Sequence, residues 1–226
     1  MCIRDRVVRL SMGSPRELVT ICDRLFSEHC RQWSPEDREP LLITCQDVEE
    51  ALRPFEERHR ESALEQLIAQ GESERLEFKS TMRYNRKADP PGKDKEMERE
   101  VARTICAFMN TEGGTLIIGV DDDGTVLGLD DDFSTLGRRK SKDGFEQSFV
   151  NITENLFDPP LSSDDYTARF EECRGKLVYV VEVKKSEKPV FCLFDGVREF
   201  YVRKQTTTRK LDAKATLEYC SDHFKN

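Results

Sequence analysis

The stretch from Glu98 to Leu129 limits the fold more than any other part of the chain. Val101, Ile105 and Phe108 recur at helical spacing, which predicts a helix over 98–110 with one apolar stripe. Thr111-Glu112-Gly113-Gly114 ends it, and the glycine pair lets the chain reverse tightly because glycine tolerates positive φ. Thr115 to Val120 (TLIIGV) then runs apolar without alternation, the pattern of a strand buried on both faces. Asp121 to Gly124 (DDDG) predicts a turn into a second strand over 125–129, which makes a hairpin.

Around this centre the period keeps changing. Leu76 and Phe78 alternate with Arg75, Glu77 and Lys79, as in a half-buried strand. The polar, basic stretch YNRKADPPGKDK (84–95) predicts a mobile loop. A helix is expected over 145–156, stopped before Pro159-Pro160, and KLVYVVEVK (176–184) reads as a strong strand. CLFDGVREFYVR (192–203) is a hairpin turning on Asp195-Gly196, and a last helix covers 213–224. Strands and helices alternate but hairpins intervene. The expected class is therefore α/β of the mixed α+β kind, a mixed sheet with hairpins and flanking helices.

A small all-helical fragment precedes it. Ser14-Pro15-Arg16-Glu17 carries a capping box, and Leu18, Ile21, Cys22 and Leu25 follow at helical spacing. Thr44 caps a second helix with Val48, Ala51 and Leu52 on one face. A third helix is expected over 54–70, with Gly71 as its stop. GSPRELVTICDRLFSEHC and ITCQDVEEAL, within 12–53, resemble the helical lid that ends many AAA-type ATPase modules. That resemblance implies a missing upstream ATPase domain, but G-x-x-x-x-G-K-[ST] is absent, so Arg16 has no nucleotide to serve within this chain. A small helical linker is the competing reading. The first six residues, MCIRDR, look like a translated adapter and are expected to be an artefact of an upstream truncation. The expected division is 1–60 for the helical remnant and 61–226 for the α/β domain.

Composition bounds the partners. Hydrophobic residues make 37% and charged residues 35%, enough to bury an ordinary core if the apolar residues are patterned. No apolar run reaches membrane-spanning length and no secretion signal is present, so a cytoplasmic location without membrane partners is expected. The eight cysteines show no C-x-x-C pair, which argues against structural zinc and for reduced, buried thiols. A net charge of -8 excludes a protein that coats nucleic acid with its whole surface. Any polyanion must meet a local basic patch.

Three segments in fixed order, GESERLEFK (71–79), ICAFMNTEGGTLIIGVDDDGTVLGL (105–129) and FYVRKQTTTRKL (200–211), together resemble the Schlafen AlbA-like domain across residues 61–226. The resemblance implies a nucleic-acid-binding module, DNA or RNA, and in ribonuclease members of the family an acidic triad. By that resemblance Glu72, Glu77 and Asp121 would be the catalytic and metal-holding carboxylates, with magnesium or manganese as the ion. Such oxygen ligands suit those ions, which activate water and neutralise charge on a phosphate. Lys79 lies two residues after Glu77, on the same face of a strand, within reach of a scissile phosphate. A solvated strand face accounts for Glu77 and Lys79 equally, and an ordinary hairpin turn accounts for Asp121. Lys204-Gln205 stands where family members commonly carry glycine.

The basic residues fall into clusters. Arg83, Arg86 and Lys87 lie in the polar loop, RRKSK covers 138–142, and Arg203, Lys204, Arg209 and Lys210 flank Thr206-Thr207-Thr208. Segregated cations in an acidic chain are expected to build one ridge that tracks phosphates, the threonines adding hydroxyl donors. Scattered solvated charge is the alternative. Binding without catalysis, metal-dependent cleavage of structured RNA, and a regulatory protein-interaction module all remain open on the sequence.

Overall fold

The buried strand anticipated at 115–120 is β4 (Gly114–Ile118) of a computed structural model that describes residues 19–24, 27, 52–53 and 63–224. The chain divides into two compact units, 1–66 and 67–226. In the first, residues 19–24, 27, 52–53 and 63–66 are helical, and Ile21 and Leu52 are fully buried. The segment resembling an ATPase lid lies mostly outside the described residues.

In the second unit β4 stands inside a four-stranded sheet of order β1-β4-β7-β6, with β1 (Leu76–Lys79), β6 (Tyr166–Cys173) and β7 (Lys176–Val183). The β1–β4 pairing is parallel and the others are antiparallel, so the sheet is mixed, as expected. Both faces of β4 are covered, because Leu116 and Ile118 on one side and Ile117 on the other are all inaccessible. A second, antiparallel sheet has the order β10-β9-β8-β5, from β5 (Phe157–Asp158), β8 (Phe191–Phe194), β9 (Val197–Lys204) and β10 (Thr207–Leu211).

Helix α1 (Lys95–Met109) bridges the two sheets. Asp94 caps it by accepting from Glu96 N, and every residue from Val101 to Met109 except Arg103 is buried. The carboxyl-terminal half of this helix is apolar on nearly every side and needs cover there on nearly every side. Phe108 shows both contacts, since its ring leaves no room for a Cβ at Gly114 of β4 and lies under the Arg203 guanidinium of β9. Helix α2 (Asp130–Ser134) is short, and α3 (Lys142–Asn155) packs Phe145 and Phe149 edge-on against Tyr179 of β7. Helix α4 (Ala213–His223) follows β10, and Tyr219 donates to Asn110 O at 2.8 Å. No helix among the described residues is long and apolar enough to cross a membrane. Cys106, Cys173 and Cys192 are buried.

Two local expectations are corrected. The stretch 84–95 is no open loop: β2 (Tyr84–Asn85) pairs antiparallel with β3 (Gly92–Lys93), and Asp132 holds its base by accepting from the N–H groups of Met82, Arg83 and Tyr84. The hairpin expected over 125–129 shrinks to one bridge, Val120 to Val126. Gly119 has φ +99 and its carbonyl accepts from both Leu127 N and Gly128 N, so the chain folds back across β4 instead of running beside it.

Candidate nucleic-acid interface

The amino-acid cluster at 72–79 folds into a loop and a strand because Gly71, at φ +73, stops the preceding helix and Ser73 bridges back to Leu76. Glu72 Oε1 accepts from Phe78 N at 2.9 Å, which ties the loop to β1. Partial burial pushes the Glu72 carboxyl above its ordinary value; that hydrogen bond and Lys79 pull it down, while Glu77 and Asp122 push it up. Glu72, Glu77 and Lys79 thus lie within electrostatic reach of one another. Asp121 is exposed and closes the DDDG turn, accepting from Gly124 N at 2.8 Å. In that turn Asp122 is the aspartate whose charge acts on Glu72. A sequence reader could not choose among three adjacent aspartates.

Glu77 is 7% exposed and its carboxylate is occupied. Oε1 accepts from Lys79 Nζ at 2.5 Å. Oε2 lies 2.7 Å from Arg203 Nη2, an ion pair that is close but not directed as a hydrogen bond. Among the described residues no group of three or more His, Cys, Asp or Glu side chains is arranged to hold a metal ion. The carboxylates therefore do not fit magnesium or manganese as they stand, because two cations already compensate the most buried one.

Arg203, read from the sequence as a phosphate contact, is turned inward. Its side chain is fully enclosed, Nη2 donates to Ser73 O at 2.8 Å, Nη1 donates to Thr208 Oγ1 at 3.1 Å, and the guanidinium lies 5.2 Å over the Phe108 ring. It clasps β9 to the loop before β1. Arg83 is also enclosed, at 7% exposure, with Nη1 on Ser148 Oγ at 2.8 Å and Nε 3.3 Å from Glu98. Arg86 pairs with Asp131 at 2.6 Å, and Lys210 pairs with Glu199.

Lys204 and Arg209 remain outward. The β9–β10 register sets Lys204 opposite Thr207 and Arg209 opposite Val202, so both side chains share the face away from Arg203 and Thr208. Both are exposed and have no acidic partner among the described residues. The same holds for Lys87, Arg138, Arg139 and Lys140.

Lys87 and the β9–β10 cations stand toward opposite ends of α1. Lys87 lies in the hairpin that runs directly into the α1 amino end, whose neighbour α2 receives Arg86. The β9–β10 turn adjoins the carboxyl end of α1, where Arg203 covers Phe108 and Asn110 Nδ2 donates to Tyr201 O at 3.0 Å. Helix α1, 15 residues and about 22 Å long at ~1.5 Å per residue, runs between these two ends.

Comparison with known proteins bears on the same stretch of chain. No curated protein matches it. Among solved structures, the DIP2311 protein of Corynebacterium diphtheriae is similar at 20% identity with a TM-score of 0.45, over 76% of this chain and 34% of its own. This chain thus spans about a third of that protein's length. The N-terminal domain of a putative ATP-dependent DNA helicase RecG-related protein from Nitrosomonas europaea is similar at 22% identity with a TM-score of 0.42, over 68% of this chain and 94% of its own. The family described as Schlafen, AlbA_2 matches residues 72–212. That match runs from the Glu72 loop to the cap of α4 and takes in both sheets, the Glu77–Arg203 clasp and the outward cations, and the chain belongs to the Schlafen, AlbA_2 family.

Proposed function

We propose that the α/β unit is a nucleic-acid-binding module that holds a sugar-phosphate backbone by electrostatics, with little preference for sequence. The observation that carries this reading is the outward pair Lys204 and Arg209, left without acidic partners on one hairpin face of a chain whose net charge is -8. Unpaired cations in a negative molecule gain most from a phosphate, and Thr207 beside Lys204 offers a hydroxyl to the same oxygens. Lys87, in the hairpin that leads into the other end of α1, supplies a second contact, and the exposed cations at 138–140 add to the positive surface.

Fluorescence titration of DNA and RNA strands across a series of salt concentrations tests it. Affinity should fall along a straight line in log K against log salt, by roughly 0.9 per phosphate neutralised on duplex DNA. Affinity that ignores salt refutes the reading, and comparison of the two polymers at one salt concentration separates DNA from RNA.

The family resemblance also suggests metal-dependent cleavage of structured RNA through Glu72, Glu77 and Asp121. The pairing of Glu77 with Lys79 and Arg203 favours binding over that chemistry, and no hydrolytic step follows from the arrangement. Incubation of the chain with structured RNA and manganese, beside a Glu77→Gln control, decides between them. On the likeness of residues 12–53 to an ATPase lid, the module serves a longer ATP-driven protein of the cytoplasm, and a phosphate-binding loop in the upstream coding sequence is the observation to seek.

A further inference from the structure

Between the amino end of α1 and the outer turns of α3 lies a cavity of about 220 Å³. Arg83, Lys93, Glu98, Ser148, Asn151 and Asn155 supply its polar walls. Arg83 is the unusual member. It is more than nine-tenths buried, yet only Nη1 makes a hydrogen bond, to Ser148 Oγ. Its buried Nε faces a Glu98 carboxylate oxygen at 3.3 Å without a directed hydrogen bond, and Nη2 makes no hydrogen bond among the described residues. Taking a guanidinium out of water without using all its donors is costly, so a further acceptor brought to Nη2 gains more here than at an open surface.

Charge says what kind of acceptor. Arg83 Nε at 3.3 Å and Lys93 Nζ at 3.9 Å both face the same oxygen of Glu98. One carboxylate between two cations leaves the cavity with a surplus positive charge. The other polar walls are neutral. Ser148 Oγ is already spent on Gly144 O, and Asn155 Nδ2 donates to Asn151 O, which leaves the Asn151 amide available as a donor. A planar guanidinium, an ammonium and an amide lining one cavity offer donors suited to the oxygens of a phosphate. The volume, below the roughly 300–1,000 Å³ of sites that enclose a drug-sized ligand, is ample for a single phosphate group.

We infer that this cavity seats a single phosphate group. The inference rests on the nucleic-acid reading only for the source of that group: the end of a strand and a free phosphomonoester present the same oxygens. The site lies at the amino end of α1, which follows the hairpin that carries Lys87.

Inorganic phosphate titrated into the full chain, with the Asn151 amide and Arg83 Nε–H resonances followed by NMR, tests the site itself. Saturable shifts are expected in the wild type and are lost in Asn151→Asp, which places a carboxylate in the cavity at an exposed position. Lys93→Met should weaken phosphate several-fold without altering the fold, since that side chain is half exposed. Shifts that never saturate, or that survive unchanged in Asn151→Asp, overturn the inference. A second arm compares strands of one sequence bearing a 5′-phosphate, a 3′-phosphate or neither. About tenfold tighter binding of one phosphorylated end, roughly 1.4 kcal/mol, identifies the strand end as the source. Equal binding of all three alongside saturable phosphate shifts identifies a free phosphomonoester. Phosphate binding without any strand binding sinks the nucleic-acid reading and keeps the cavity, whereas salt-dependent strand binding without phosphate shifts does the reverse.

Discussion

Replacement of Arg203 by methionine should unfold the α/β unit more than it should disturb any ligand. The guanidinium is fully enclosed, and its loss strands the Glu77 carboxylate, whose side chain is only 9% exposed. Removing one partner of a buried ion pair costs about 3–5 kcal/mol. Lys79, still 2.5 Å from the other Glu77 oxygen, moderates that, so the lower part of the range applies to the charge alone. Ser73 O and Thr208 Oγ1 also lose their donor, adding on the order of 1 kcal/mol. The sum is about 4 kcal/mol, and at ~2–4 °C per kcal/mol for a domain of this size Tm should fall by roughly 8–16 °C. Thermal and urea unfolding followed by circular dichroism measure it. Adding Glu77→Gln removes the orphaned charge and should restore about 1–2 kcal/mol, a coupling expected of direct neighbours. A single variant that loses less than about 1 kcal/mol refutes the clasp. Measured where the variant remains folded, the salt slope of nucleic-acid binding should be unchanged, because an enclosed arginine displaces no counterion.

The outward cations should behave in the opposite way. Lys204→Ala and Arg209→Ala should each leave the unfolding free energy within about 0.5 kcal/mol of wild type and flatten the log K against log salt line by up to ~0.9 on duplex DNA; unaltered slopes would remove the hairpin from the interface. Gly113→Ala should destabilise the unit by more than about 1 kcal/mol in urea titration, since φ is +70 and a Cβ would come within 2.7 Å of Val183 O. Glu72 should titrate above the ordinary glutamate range in carbon-detected NMR, because burial outweighs its bond to Phe78 N. With the folded value raised, its contribution to stability is complete below the unfolded value and disappears as pH climbs through the folded one; a midpoint at or below the ordinary value would contradict the placement of Glu72 beside Glu77 and Asp122.

Where a segment's own apolar pattern matched its burial, the fold was readable in the sequence. The 98–110 helix, the 115–120 strand, KLVYVVEVK and the Asp195-Gly196 hairpin all emerged close to their expected places. Besides the two-residue strands β2, β3 and β5, two longer ones escaped notice because their sequences are mostly polar: β10 (TTRKL) is an edge that buries no side chain fully, and β6 (YTARFEEC) spends its charge in ladders such as Arg169 with Glu171 and Glu182. The site was harder to read than the fold. Arg203 looks like any exposed arginine until Ser73 and Glu77, more than a hundred positions away, are brought against it. Asp132 sits in an acidic run that suggests solvent, yet it is inaccessible and caps three backbone N–H groups. Burial of charge is decided by long-range partners, which local pattern does not encode.

If the two proposed contacts act together, the length of α1, about 22 Å, makes it a ruler between them. At ~3.4 Å per base-pair step a duplex must extend over some six to seven pairs before it can touch both ends at once. Shorter duplexes engage one end and gain nothing from the second. A ladder of duplexes should therefore show affinity rising abruptly near that length, and a smooth increase from the shortest member upward would mean that the two ends of the helix do not act together.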